Sequence, residues 1–232
     1  MPTNAQEAHD PDEAVLPESM GFQKKPSTSD GRVRRIVTRS GRGYRGKFPS
    51  MKLGRLVHWE SLLERDAILI TEYDPSVLTY QEQPSVETYY DKEGKVRRYT
   101  PDLLIERQDG ITIAEVKPAK KLRSLPLREK LEAIALRMQE RNQPFRILTE
   151  VEIRREPRFS NSARIHEALR SLYSLDRSAL EKIPERLKGE QRFGVLVEAL
   201  GSERLVFRHY MAGNLKIDLD QRICDKTLIV VL

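Results

Sequence analysis

A single cysteine, Cys224, is the only thiol in the chain. No disulfide can form within it, which points to a reducing intracellular compartment. With one thiol and four scattered histidines, a structural zinc site is not expected. No apolar run approaches the roughly 18 residues that a membrane-spanning helix needs. The first residues also lack the basic and apolar regions of a secretory signal, so a cytoplasmic protein is expected. A glycine-rich phosphate loop of the Walker type is missing too, so any ATP hydrolysis has to come from a partner.

What is present is charge. Hydrophobic residues make up 38 % of the 232 residues and charged ones 33 %, enough for one domain with a smaller second one. Forty-one Lys and Arg against 35 Asp and Glu leave a net charge of +6 and a pI near 9.4, which suits a polyanionic partner. The distribution is uneven. Residues 1–22 carry acids, among them Asp10, Asp12, Glu13 and Glu18, and no Lys or Arg, which predicts a disordered tail. Over 23–56 the balance reverses: Lys24, Lys25, Arg32, Arg34, Arg35, Arg39, Arg42, Arg45, Lys47, Lys52 and Arg55 face one acid, Asp30. Gly31, Gly41, Gly43, Gly46 and Pro49 predict an irregular basic arm. Such an arm can neutralise a DNA backbone, with Tyr44 able to stack, or it is a solvated linker.

The most informative stretch runs from Tyr99 to Lys117. Two β-branched-rich runs, Leu103-Leu104-Ile105 and Ile111-Thr112-Ile113, flank Asp109-Gly110, which predicts a hairpin. Asp102 then opens one strand while Glu115 and Lys117 lie near the end of its antiparallel neighbour, on one face, with Val116 turned to the core. Pro-Asp followed by Glu-x-Lys is the pattern of metal-dependent nucleases. Two carboxylates and the Val116 carbonyl offer hard oxygen ligands to magnesium, and Lys117 would hold or deprotonate an attacking water and stabilise charge on a phosphate. The bland reading is a hairpin with an exposed cross-strand salt bridge. Upstream, His58 to Ile70 fits a short amphipathic helix that carries Glu60 and Glu64 four apart, either of which can supply a third acid.

Ser61-Leu62-Leu63-Glu64-Arg65-Asp66, Asp74-Pro75-Ser76-Val77, Glu82-Gln83-Pro84, Arg98-Tyr99-Thr100-Pro101-Asp102 and Glu115-Val116-Lys117-Pro118 occur in this order between about Val57 and Thr149. In these segments the chain resembles the TnsA-type endonuclease subunits of heteromeric cut-and-paste transposons. The resemblance implies an α/β fold with a restriction-endonuclease-like PD-(D/E)xK core over 57–150, a mixed sheet flanked by helices. Glu64, Asp102, Glu115 and Lys117 would then fill the catalytic positions, and Glu64 is chosen over Glu60 on this ground. Some members of the family carry Gln where this chain has Glu115, the stronger ligand. Further implications are Mg2+ as cofactor with Mn2+ substituting, double-stranded DNA at transposon ends as substrate, and two protein partners in a nucleoid-associated bacterial setting. The partners are a TnsB-like DDE transposase and a TnsC-like AAA+ ATPase.

Around this core, Asp74-Pro75-Ser76 reads as a turn, Val77 to Tyr80 as extended, and Asp91-Lys92-Glu93-Gly94 as the turn of a second hairpin. Gln83 is placed near the acids, to orient water or phosphate or simply as a hydrogen-bonded structural residue. Lys120 and Lys121 form a basic loop beside the site, Leu127 to Arg141 a helix with Lys130 on its polar face, and Phe145 to Thr149 a buried strand. Residues 151–232 are read as a winged-helix-like domain for DNA or partner binding. It would contain a helix capped at Asn161-Ser162 with Ile165, Ala168, Leu169 and Leu172 on its apolar face, and helices at Ser178–Arg186 and Phe193–Leu200. Gly201 would stop the last of these, before strands at Leu205–Tyr210, Leu215–Leu219 and Thr227–Leu232. The function expected is DNA cleavage at the 5′ ends of a mobile element. The alternatives are a stand-alone restriction or repair nuclease of the same fold and a non-catalytic DNA-binding assembly module.

Overall fold

Ser61 fixes where the first helix begins. Its hydroxyl accepts from the Glu64 N–H, so the helix runs Leu62–Tyr73 (α1), starting four residues later than the apolar spacing suggests. His58 and Trp59 belong instead to a strand, and Glu60 precedes the cap. The computed structural model describes residues 44–170 and 180–232. Arg34, Arg35, Arg39, Arg42, the acidic tail and Leu172 lie outside them.

The described end of the basic segment is not irregular. Gly46–Ser50 (β1) and Arg55–Trp59 (β2) pair antiparallel, Gly46 opposite Trp59, and the hairpin packs on α1. Glycine at 46 serves close approach: a Cβ there would sit 2.4 Å from Trp59 Cζ2. After α1 come Val77–Glu82 (β3), Glu87–Tyr90 (β4), Val96–Tyr99 (β5), Leu103–Arg107 (β6) and Gly110–Val116 (β7). The helix Leu125–Glu140 (α2) leads to Phe145–Leu148 (β8). The main sheet has the order β3-β6-β7-β8, antiparallel except for the parallel pair β7-β8, and β4-β5 form a separate hairpin, as the turn chemistry predicts. Central β7 is covered on both sides. Leu131, Ile134 and Met138 of α2 pack with Tyr89, Tyr99, Phe145 and Ile147 on one side. On the other, α1 and later elements pack against Leu103, Ile105, Ala114 and Val116.

Thr149 and Glu152 form a capping box on Glu150–Ile153 (α3). The following helix, Arg158–Leu169 (α4), starts before Asn161-Ser162, which are interior residues and not caps. Asn161 is used across the fold: its side-chain amide donates to the Leu219 and Gln221 carbonyls and accepts from the Ile223 N–H. Of the helix expected over Ser178–Arg186, residues 178 and 179 lie outside the described ones. The remainder holds only a 3-10 turn at Glu185–Leu187, after Pro184.

Then follow Gly189–Arg192 (β9), Phe193–Leu200 (α5) stopped by Gly201 at φ 85°, Glu203–Ala212 (α6), Leu215–Lys216 (β10) and Leu228–Val231 (β11). The strand expected over Leu205–Tyr210 is therefore a helix. Ser202 caps it, Gly213 ends it at φ 80°, and the buried Val206, Phe207 and Tyr210 recur on one helical face. The strand expected over Leu215–Leu219 shrinks to two residues. The last three strands form one sheet in the order β10-β11-β9. This half is not packed apart from the first: Tyr210 OH donates to the Tyr73 carbonyl at 2.7 Å, His166 stacks on Phe48 at 4.7 Å, and one apolar cluster runs through both.

Candidate active site

The register of β6 and β7 sets Leu103 opposite Ala114, which brings Asp102, one residue before β6, opposite Glu115 near the end of β7. Asp102 is fixed by the backbone: its Oδ2 accepts from the Val116 N–H at 2.7 Å. Lys117 follows β7, and its Nζ reaches Glu115 Oε1 at 2.5 Å, Asp102 Oδ2 at 3.3 Å and the Val116 carbonyl at 3.1 Å. The turn that carries Lys117 is pinned on both sides, by its own N–H on the Leu148 carbonyl and by Glu150 accepting from the Ala119 N–H. Tyr99 completes the cluster. Its hydroxyl donates to Glu115 Oε2 at 2.7 Å, and Lys130 Nζ lies 5.7 Å from its ring centroid. No role for Tyr99 follows from the sequence, because nothing in its spacing identifies its partner.

Electrostatics follow from this packing. Burial first, and then the Glu115 charge, push the Asp102 carboxyl up to about 7, with Lys117 opposing and Glu64 adding to the rise. Burial works against the charge on Lys117, but Asp102 and Glu115 outweigh it and hold the ammonium above its ordinary value. The two carboxylates thus favour the charged form of Lys117. Burial also raises Glu64, against the hydrogen bonds it accepts from the Glu60 N–H at 2.8 Å and the Ser61 hydroxyl at 3.0 Å. Glu64 therefore stands near enough for its charge to act on Asp102 and Lys117, yet its carboxylate is turned to the start of its own helix.

Asp102 and Glu115, two hard carboxylates with the Val116 carbonyl beside them, suit a divalent cation such as magnesium, and Lys117 meets part of their negative charge. Among the described residues no three His, Cys, Asp or Glu side chains are gathered as one ion's ligand set. Glu64 would have to release Ser61 and Glu60 to join the pair.

The residues singled out for DNA divide sharply. Lys52 is spent inside the fold: its Nζ donates to the Asp74 and Val77 carbonyls at 2.8 and 2.7 Å, capping the end of α1, and burial pushes it down to about 8. Arg55 grips Glu82 with two hydrogen bonds, 2.8 and 2.6 Å long. Arg45, Lys47, Lys120 and Lys121 are exposed, the last two in the 3-10 turn Ala119–Arg123 directly after the site. No helix among the described residues is long and apolar enough to cross a membrane.

No curated protein matches the chain. The family described as TnsA-like endonuclease N terminal does match, over residues 74–150. That segment includes Gln83, Tyr99, Asp102, Glu115 and Lys117 and begins where α1, with Glu64, has just ended. Over residues 74–150, and so over most of the candidate site, the chain is similar to the TnsA-like endonuclease N-terminal family.

Proposed function

We propose that this chain is the metal-dependent DNA endonuclease subunit of a transposase, cutting phosphodiester bonds at the 5′ ends of a mobile element beside a DDE transposase that cuts and joins the 3′ ends. The observation that carries the reading is the placement of the Lys117 ammonium 2.5 Å from Glu115 and 3.3 Å from Asp102 within a TnsA-like endonuclease domain. Asp102, Glu115 and the Val116 carbonyl would hold the cation, and Glu64 would join them on leaving its helix start. Bound there, magnesium would ionise a water and draw charge from the phosphate. Lys117, with its charge held on, stabilises negative charge on the phosphate oxygens and orients the water. Tyr99 keeps Glu115 aimed, and the Val116 N–H does the same for Asp102.

Exposed Lys120 and Lys121, together with Arg45 and Lys47, would neutralise backbone phosphates next to the cut. The succession α4, β9, α5, α6, β10, β11 with the sheet order β10-β11-β9 supports a winged-helix reading of the C-terminal part, a module for DNA or for partners such as an AAA+ ATPase. Strand-resolved mapping tests the whole. With a DDE recombinase of the same element and a duplex bearing the element's ends, adding this chain should produce cuts on the 5′-ended strand in Mg2+ and leave 3′ cutting to the recombinase. Cuts on the 3′ strand alone would contradict the assignment.

A further inference from the structure

Three observations meet at Gln83. Its φ is 44°, a left-handed conformation that Gln seldom adopts and that is more unusual still directly before a proline, Pro84. The residue is only 7 % exposed, and its side-chain Oε1 is buried with no hydrogen-bond partner among the described residues. Its backbone N–H, at the end of β3, donates to the Asp102 carbonyl at 3.0 Å, so it is fastened to the residue that opens the site.

A turn needing positive φ is made at lower cost by Gly or Asn, and a buried amide oxygen without a donor is costly. Strain and an unpaired polar group at one residue beside a cluster of acids indicate a group kept for something that binds. The unpaired atom is an acceptor, so a phosphate oxygen, which also only accepts, cannot satisfy it. A water can.

We propose that Gln83 is the water-positioning residue of the cleavage site, its Oε1 accepting one hydrogen of the water that attacks the phosphate. This rests on the nuclease reading above. Gln83 makes and breaks no covalent bond. The hydrogen it holds stays on the attacking oxygen, which bonds to phosphorus as the phosphorus–oxygen bond to the departing strand breaks. The water's other proton leaves to solvent, and the departing oxygen takes one up from solvent.

The test uses Gln83→Met, which keeps length and removes the acceptor, and Gln83→Glu, which keeps an acceptor oxygen. Both are made in the full chain and assayed with the recombinase partner on a duplex bearing the element's ends. Gln83→Met should melt no lower than wild type, keep KM within about twofold and lose about tenfold or more in kcat, and Gln83→Glu should recover part of that loss. A Gln83→Met protein that cuts at the wild-type rate would overturn the proposal and leave the nuclease reading standing. So would one whose loss of cutting follows a fall in melting temperature, because a purely structural Gln behaves that way. A wild-type chain that cuts neither strand would remove the nuclease reading and this proposal with it.

Discussion

The Tyr99 hydroxyl donates a 2.7 Å hydrogen bond to Oε2 of Glu115, a carboxylate that is 4 % exposed. Through this bond the β4-β5 hairpin, which packs against α2, also aims a residue of the site. Removing only the hydroxyl isolates its contribution. Tyr99→Phe leaves a buried carboxylate oxygen without its donor and should cost about 1–3 kcal/mol in urea unfolding. Cleavage should fall while affinity for DNA holds. An unchanged midpoint together with unchanged cleavage would mean that the bond is incidental.

Arg55 and Lys120-Lys121 are all cations near the domain, and their variants should separate. Arg55→Ala takes two hydrogen bonds and the facing charge from Glu82, 2 % exposed, which keeps its bond from the His58 N–H, and should cost about 3 kcal/mol of stability without changing the salt dependence of DNA binding. Lys120→Ala with Lys121→Ala should leave the unfolding midpoint in place and lower the slope of log affinity against log salt by about one unit for each phosphate no longer neutralised. Fluorescence anisotropy across a salt series, with denaturation in parallel, reads both.

Acid should weaken the joint between the two halves. Burial lowers the His166 pKa below its ordinary 6.5, and burial together with Arg208 lowers His209, so the folded chain binds fewer protons there than the unfolded one. Their contribution is present above about pH 6.5 and is lost as the pH falls below it. His166 Nδ1 lies 3.1 Å from the Tyr73 hydroxyl, and Gln at 166 can keep that contact without titrating. His166→Gln should flatten the fall in melting temperature between about pH 7 and 5. An equally steep fall in the variant would assign the acid sensitivity elsewhere.

The β6-β7 hairpin was readable because two runs with strand spacing flank Asp109-Gly110, and turn chemistry of that kind specifies register locally. The same locality made α2 and α5 readable. Leu205-Val206-Phe207 misleads because a short apolar run fits strand or helix alike, and Ser202 and Gly213, which decide the matter, lie outside it. The β1-β2 hairpin was hidden by its own composition: Gly46 suggests looseness, while its role is to admit the Trp59 indole. Long-range partners left no trace in sequence. Glu72 reads as any helix Glu, yet it is fully buried and accepts from the Ser50 hydroxyl, the Lys52 N–H and the Tyr80 hydroxyl. Lys52 and Arg55 look like the rest of the basic arm until the acceptors they meet are known. At the site, Asp102, Glu115 and Lys117 come together through one hairpin and so were legible, whereas the direction taken by Glu64 depends on the cap of a helix from another part of the chain.

The most direct measurement is single-turnover cleavage by Asp102→Asn, which keeps the shape of the side chain and its hydrogen bond with the Val116 N–H but removes the charge. The variant should show the circular dichroism and melting temperature of wild type and lose about a hundredfold or more in cutting of the 5′-ended strand in Mg2+. Cutting at the wild-type rate by a folded Asp102→Asn protein would contradict the assignment of this cluster as the active site.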